Sequence, residues 1–366
     1  MRVLCVAAAR PNFMKVKPVV DALEAAGLET VLVHTGQHYD ADMSEVFFDD
    51  LGLRPPDHHL GVGSGTQAEQ AARVMTAFEP LVNKLRPDQL VVVGDVTSTM
   101  ACALVGAKTG CLVAHVEAGL RSRDWTMPEE INRVVTDRVS DILLAPSPDA
   151  VENLRSEGYR VDQIHLVGNV MVDTLLANLD RARQRPVWSG LGVEPGSYGL
   201  VTLHRPDNVD DPQQLRTILG ALGEIARRMP LVFPVHPRTR STLDGLGIPD
   251  GLSLLPPAGY LDFIALESAA AVVLTDSGGV QEETTVLGVP CLTLRDNTER
   301  PITVTEGTNQ VVGRNPDSIV STTFKVLEEG VVKRRPALWD GRAGERIGEV
   351  LARAEPGAHR RPTEQL

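Results

Sequence analysis

The run Gln89-Leu90-Val91-Val92-Val93-Gly94-Asp95-Val96-Thr97-Ser98 sets an apolar stretch of strand length against a glycine and an acid. The next such stretch, Cys111-Leu112-Val113-Ala114-His115-Val116, follows after a segment of helix length. Apolar residues without alternation read as strands buried on both faces. Strand, helical pattern over 98–108 and strand make a βαβ unit, and hence a parallel sheet. Outward from it, 2–9, 29–34, 141–145 and 164–167 read as strands, and 15–26, 66–84, 129–139, 148–157 and 170–184 as helices. The opening Val3-Leu4-Cys5-Val6-Ala7-Ala8-Ala9 is short for a secretory core and runs into Arg10-Pro11, so it reads as the first buried strand.

Arg185-Pro186-Val187-Trp188-Ser189-Gly190 and Glu194-Pro195-Gly196-Ser197 form a Pro/Gly-rich, non-periodic stretch, expected to be a linker. A second series follows, with strands at 198–203, 231–235, 252–255, 270–275 and 290–294. Its helices are at 212–228, 260–269, 280–287, 316–329 and around 342–354, and a polar tail from Glu355 is expected to fray. The expected class is α/β: two Rossmann-like doubly wound domains, 1–185 and 186–340, facing across a cleft, with 341–366 forming a last helix and tail. Ligands of such sheets sit beyond the carboxyl ends of the strands.

The 366 residues suit about two domains at roughly 150 each. A hydrophobic share of 42% with 23% charged residues excludes wholesale disorder. Aromatics at 4% argue against stacked-ring platforms for single-stranded nucleic acid. The net charge of -12, with a pI near 5.3, repels nucleic acids and anionic membranes. A phosphate ligand therefore needs a local basic pocket. No apolar run reaches the ~18 residues of a membrane span. Cys5, Cys102, Cys111 and Cys291 are scattered, without C-x-x-C or His at metal-ligand spacing, which fits a reducing cytoplasm and no metal.

The chemistry is expected in the loops after strands. After 2–9, Ala9-Arg10-Pro11-Asn12-Phe13-Met14-Lys15 lacks the glycines of a dinucleotide turn. Gly61-Val62-Gly63-Ser64-Gly65 has the wrong final spacing and reads as a flexible loop. Arg10 and Lys15 suit neutralisation of a diphosphate, or form a solvated basic pair. Asp95 and Glu117 fall at strand ends, and Glu129 lies in the first turn of a helix opened by Pro128, with Arg133 one turn on. Each has a bland reading: Asp95 as an N-cap, Glu117 as a loop anchor, Glu129 as a macrodipole acid paired with Arg133. Three carboxylates on one rim would instead offer an acid and a base at neutral pH.

In the second half, His204-Arg205 and His236-Pro237-Arg238 follow strands and suit anion recognition, although a lone His is usually structural. Asp276-Ser277-Gly278-Gly279-Val280-Gln281-Glu282-Glu283 is the strongest local signal. Its Gly-Gly turn opens a helix whose N–H groups can hold a phosphate, and Glu283, one turn deeper, could bind a ribose diol. A plain turn with surface acids is the alternative.

Together with Pro128-Glu129-Glu130-x-Asn132-Arg133, Pro234-Val235-His236-Pro237 and Thr298-Glu299-Arg300-Pro301, these motifs resemble the non-hydrolysing UDP-N-acetylglucosamine 2-epimerases along nearly the whole chain. The resemblance implies the two-domain glycosyltransferase-B fold, a C-terminal helix crossing back to the first domain, and a homodimer. It implies inversion at C2 of UDP-N-acetylglucosamine, with no NAD or metal cofactor, by elimination of UDP to a 2-acetamidoglucal and re-addition. Asp95, Glu117 and Glu129 would then serve acid/base chemistry, and His204 the departing diphosphate. Arg10, Lys15 and the Ser277-Gly278-Gly279 turn would hold phosphates, Glu283 the ribose, and Phe263 with Arg300 the nucleotide side. Arg133, Arg205 and His236 complete the substrate-binding set. A hydrolysing 2-epimerase, a UDP-sugar glycosyltransferase and an inactive UDP-sugar sensor are the rival readings. The chain departs from many members at Asn12 (Glu in those), at Ala258 (Gln), at Gln37-His38-Tyr39-Asp40 and at Pro206-Asp207-Asn208. Two of these segments serve an activating UDP-sugar in regulated members, so turnover without such activation is expected.

Overall fold

The computed structural model describes residues 1–8, 10–36 and 51–354. The expected fraying from Glu355 and the segment Gln37 to Asp40 lie outside the described residues. Strands β1 (Arg2–Ala7), β2 (Glu29–His34), β3 (His58–His59), β4 (Gln89–Val93), β5 (Leu112–Val116), β6 (Ile142–Ala145) and β7 (Ile164–Leu166) form one sheet. Its order among the described residues is β3-β2-β1-β4-β5-β6-β7, and its pairs are parallel. The deciding run behaves as its composition demands. β4 and β5 are buried at every position, and Val91 lies in register with Ala114. Helix Thr97–Thr109 crosses between them and packs closely because Gly106 has no side chain. A Cβ there would stand 2.5 Å from Leu90 Cδ2.

A second sheet joins β8 (Gly199–Thr202), β9 (Leu231–Pro234), β10 (Leu252–Leu255), β11 (Val272–Thr275), β12 (Cys291–Thr293) and β13 (Asn309–Val311), in the order β10-β9-β8-β11-β12-β13. These pairs too are parallel. Apolar side chains pack on both faces. Leu222, Phe233 and Ile319 belong to one cluster, and Tyr198, Leu200 and Val280 to the other. In each sheet the strand order reverses beside the central strand, between β1 and β4 and between β8 and β11. Those switch points are where open α/β sheets leave a crevice.

The chain divides into two compact units, Met1–Thr174 with Ala337–Leu366, and Leu175–Pro336. The Pro/Gly stretch after residue 184 is no free linker. Val187, Trp188 and Leu191 pack against the second unit's core, and Gly196 N–H donates to the Ala269 carbonyl at 2.7 Å. The first helix runs over Arg10–Ala25 instead of starting at residue 15, because Pro11 is tolerated in a first turn that lacks backbone acceptors. β3 and β13 escaped the sequence reading, being two and three residues long and partly polar.

Helix Ala343–Arg353 belongs to the first unit and lies along helix Arg10–Ala25. Its Gly344 and Gly348 face the carbonyls of Pro18 and Ala22, where a Cβ would come within 2.5 and 3.0 Å. Asp173, from helix Val170–Arg183, accepts from Ala343 N–H at 3.0 Å and Gly344 N–H at 2.7 Å. Gln89 at the start of β4 donates to the Leu351 carbonyl at 2.9 Å. Trp339, 1% exposed, donates to the Pro146 carbonyl at 3.1 Å.

Candidate active site

In the first unit the site grows around Gly94, at the end of β4. Its φ of +73° suits glycine, and a Cβ there would stand 3.3 Å from Lys15 Nζ and 3.4 Å from Glu117 Oε2. Asn12 ties the two strand ends at the switch point: its Oδ1 accepts from Ala8 N–H at 3.0 Å and its Nδ2 donates to the Val93 carbonyl at 2.8 Å. Lys15 Nζ pairs with Glu117 Oε2 at 2.5 Å, with the two side chains 11% and 3% exposed. The other oxygen, Glu117 Oε1, is buried with no hydrogen-bond partner among the described residues. Glu117 also holds φ at +72°. A left-handed backbone at a non-glycine residue costs about 1–3 kcal/mol and persists only where the surroundings over-determine it.

Asp95 is not an N-cap. Helix Thr97–Thr109 is capped at Val96 without a side-chain hydrogen bond, and the Asp95 carboxylate turns to Arg133 Nη2 at 2.6 Å. Arg133, itself 2% exposed, also donates to Glu130 Oε2 at 2.8 Å. Asn132 Nδ2 donates to the Asp95 carbonyl at 2.9 Å. Arg133 thus holds a carboxylate in place instead of offering an open cationic surface. Glu130 in turn accepts from Ser122 and Arg123 N–H at 2.9 and 2.8 Å. Glu129 lies one turn before Arg133 on helix Pro128–Val139 and is half-buried. The first unit therefore brings Lys15, Glu117 and Asp95 together with Arg133, each acid beside a cation. The Arg10 side chain lies outside the described residues.

In the second unit Asp276, fully buried, organises the switch point. It accepts from His204 N–H at 3.1 Å, Arg205 N–H at 3.0 Å and Asn208 Nδ2 at 3.0 Å. Its Oδ1 also lies 3.2 Å from His204 Nδ1, and the His204 side chain is 37% exposed. That fixes a ring with its far side toward solvent. The His236 ring stands with its centroid 5.9 Å from that of His204. Helix Gly278–Leu287 opens with Ser277 at its cap and no side-chain capping bond, which leaves its first N–H groups for a ligand. Gly278 is required there: a Cβ would meet Arg300 Nη1 at 2.5 Å and Glu299 Oε1 at 2.7 Å.

Arg300 is 5% exposed, with Nε 2.8 Å from Glu282 and Nη1 2.6 Å from Glu299. Arg295 and Arg205 also approach Glu299, at 2.9 and 3.6 Å. Phe263 is half-buried against the cluster that holds Tyr198 and Val280. Glu283 is buried and accepts from Tyr260 Oη at 3.3 Å. Burial pushes its carboxyl up to about 8, with the Tyr260 hydrogen bond pulling down and Glu282 adding to the rise. Glu267 is fully buried, and neither carboxyl oxygen has a hydrogen-bond partner among the described residues. Burial first, and then Glu283, push it well above the ordinary range. The role of Asp276, the Glu267–Glu283 pair, and the support from Glu130 and Asn132 escaped the sequence reading, because each depends on contacts that only the folded chain makes. Among the described residues no group of His, Cys, Asp and Glu could hold a metal ion, and no helix is long and apolar enough to cross a membrane.

Two doubly wound α/β units, with their polar side chains gathered at the switch points, define a protein of the glycosyltransferase-B fold class. The UDP-N-acetylglucosamine 2-epimerase family model matches residues 21–352. The chain belongs to that family, a family of isomerases. The crystal structure of the Methanocaldococcus jannaschii UDP-GlcNAc 2-epimerase in complex with UDP-GlcNAc and UDP is similar at a TM-score of 0.90 and 40% identity, covering 97% of this chain and 100% of that one. The Neisseria meningitidis UDP-GlcNAc 2-epimerase bound to UDP-GlcNAc also gives 0.90, at 29% identity, with 97% and 100% covered. A Pseudomonas aeruginosa relative, UDP-2,3-diacetamido-2,3-dideoxy-D-glucuronate 2-epimerase, is 42% identical over 96% of this chain and 100% of its own.

Proposed function

We propose that the protein interconverts UDP-N-acetylglucosamine and UDP-N-acetylmannosamine by eliminating UDP to a 2-acetamidoglucal and re-adding it from the opposite face, without releasing free sugar. The observation that carries this reading is the pair of switch-point acids, Glu117 beside Lys15 and Asp95 beside Arg133. The C2 proton has no adjacent carbonyl to acidify it, so its removal must be coupled to departure of a stabilised diphosphate. Carboxylates can take and return the proton, while cations and an open helix N-terminus can stabilise the leaving group. Asp95, Glu117 and Glu129 serve the proton transfers, and His204 assists the diphosphate. Arg10, Lys15, Arg205, His236, Arg300 and the Ser277-Gly278-Gly279 turn bind the UDP-sugar, with Glu283 at the ribose and Phe263 on the nucleotide side. Arg133 contributes by holding Asp95.

By resemblance to the family the enzyme works as a cytoplasmic homodimer and turns over without an activating second UDP-sugar. Proton NMR of the protein with UDP-GlcNAc in D2O, with no NAD, metal or acceptor added, tests the chemistry. Appearance of UDP-ManNAc deuterated at C2 is the expected result. Free ManNAc and UDP would place it among the hydrolysing epimerases, and an undeuterated, unchanged substrate would reject the substrate. The similarity to the Pseudomonas enzyme favours one second reading, a diacetamido-glucuronate substrate, and the same experiment with that nucleotide sugar separates the two by kcat/KM.

A further inference from the structure

Beneath the loops that carry Asp95 and Glu117 lies a network of polar side chains that the proposed reaction does not use. His115, on β5, is fully buried. Its Nδ1 stands 2.6 Å from Asp137 Oδ1 and its Nε2 2.9 Å from the Gly94 carbonyl. Asp137, also fully buried, comes from helix Pro128–Val139. Its Oδ2 accepts from Gly119 N–H at 3.1 Å and lies 2.8 Å from Arg121 Nη2. Arg121 also donates to Glu157, through Nε at 2.8 Å and Nη2 at 2.7 Å.

Both ring nitrogens of His115 face acceptors. A carbonyl oxygen can only accept, and so can a carboxylate already engaged by a guanidinium and a backbone N–H. A neutral ring would set a lone pair against one of them, so both nitrogens donate. The charges then balance: His115 and Arg121 are positive, Asp137 and Glu157 negative, which is the condition for keeping charges in a dry interior. Among the described residues Tyr159 also faces this cluster, with Arg138 over its ring at 6.0 Å. Burial pushes the Asp137 carboxyl up, and His115 and Arg121 outweigh it, so that it titrates below the ordinary Asp value.

We infer that His115 and Asp137 are positioning residues for the C2 chemistry, a doubly protonated imidazole and its carboxylate clamping the Gly94 carbonyl and the Gly119 amide so that the Asp95 and Glu117 loops move as one rigid piece. The clamp explains how Glu117 keeps its left-handed backbone, since Gly94 and Gly119 lie on the two loops beside it. The inference rests on the proposed function, because only that reading makes these loops catalytic.

Two measurements test it. The first is ¹⁵N-histidine NMR of the wild-type protein. One of the nine histidines should show two ring N–H protons that exchange slowly with solvent because its ring is fully buried, and that signal should be absent from His115→Gln. The second compares Asp137→Asn and His115→Gln per folded molecule. C2 proton exchange should fall roughly 10²-fold in kcat, the order of loss that a 1 Å misplacement produces, with KM shifted less than about threefold. A wild-type spectrum in which no ring carries two slowly exchanging N–H protons overturns the clamp, and so does an unchanged kcat in folded Asp137→Asn, the result expected of a purely structural role. If the variants do not fold, the wild-type spectrum alone decides. If the wild type exchanges no C2 proton, the proposed function fails while the spectrum still reports on the ring.

Discussion

Glu117 concentrates several costs in one residue: a left-handed backbone, a buried carboxylate and a buried oxygen without a hydrogen-bond partner among the described residues. Such a residue persists where its surroundings over-determine it. Glu117→Gln and Asp95→Asn should each retain UDP binding yet lose C2 proton exchange by about 10²-fold or more, as read by deuterium incorporation. Near-normal exchange in either would remove that acid from the mechanism. The second unit makes a different residue-scale prediction. Glu267 and Glu283 are raised by burial, so the folded state holds protons that the unfolded chain releases. Stability from this pair is fully present below the ordinary Glu value of 4.5 and is lost as pH rises toward the folded value, about 8 for Glu283. Glu267→Gln should therefore melt progressively higher than wild type as the pH is raised from 5 to 9, and a constant difference across that range would refute the account. The positions of Asp95, Glu117 and His204 were legible because each lies at the end of an apolar run, Asp95 one residue past it. Their partners were not: Arg133 finds Asp95 thirty-eight positions away in sequence, and Glu267 looked like any acid on a helix.

Among the elements, the fully buried strands were read correctly in type because a short, mostly apolar run without alternation has few other uses. Helix Gln67–Leu85 was equally legible. Thr66 and Glu69 form its capping box, and Gln70, Val74, Phe78 and Val82 line its buried face. The edge strands β3 and β13 were not, since two or three residues with mixed polarity carry no period. Helix Ala343–Arg353 was expected from its pattern, whereas its partner is fixed by the absence of side chains at Gly344 and Gly348. Gly344→Leu should drive a side chain into the Pro18 carbonyl and destabilise the protein by about 1–3 kcal/mol in urea unfolding. A stability within error of wild type would show that the two helices separate at little cost.

For the molecule as a whole, length pointed to two domains and the alternation of strand and helix to the α/β class, and the same alternation located the reactive loops. Where the chain passes from one unit to the other was hidden. Proline and glycine after residue 184 suggested a linker, but apolar Val187, Trp188 and Leu191 are recruited into the second core. The four cysteines are buried and form no disulfide, and burial pushes the Cys5 and Cys291 thiols up to about 12. A chromogenic disulfide reagent at pH 8 should thus find almost no thiol in the native protein and all four after denaturation. Rapid native reaction of even one would contradict the packing of the unit that holds it.

The placement of helix Ala343–Arg353 bears on the order in which the protein is made. The second unit is a single continuous segment and can close once Pro336 has left the ribosome. The first unit then still lacks the helix that covers Pro18, Ala22 and Gln89. The unit whose synthesis begins first is completed last, and its nascent form leaves that groove uncovered until helix Ala343–Arg353 emerges.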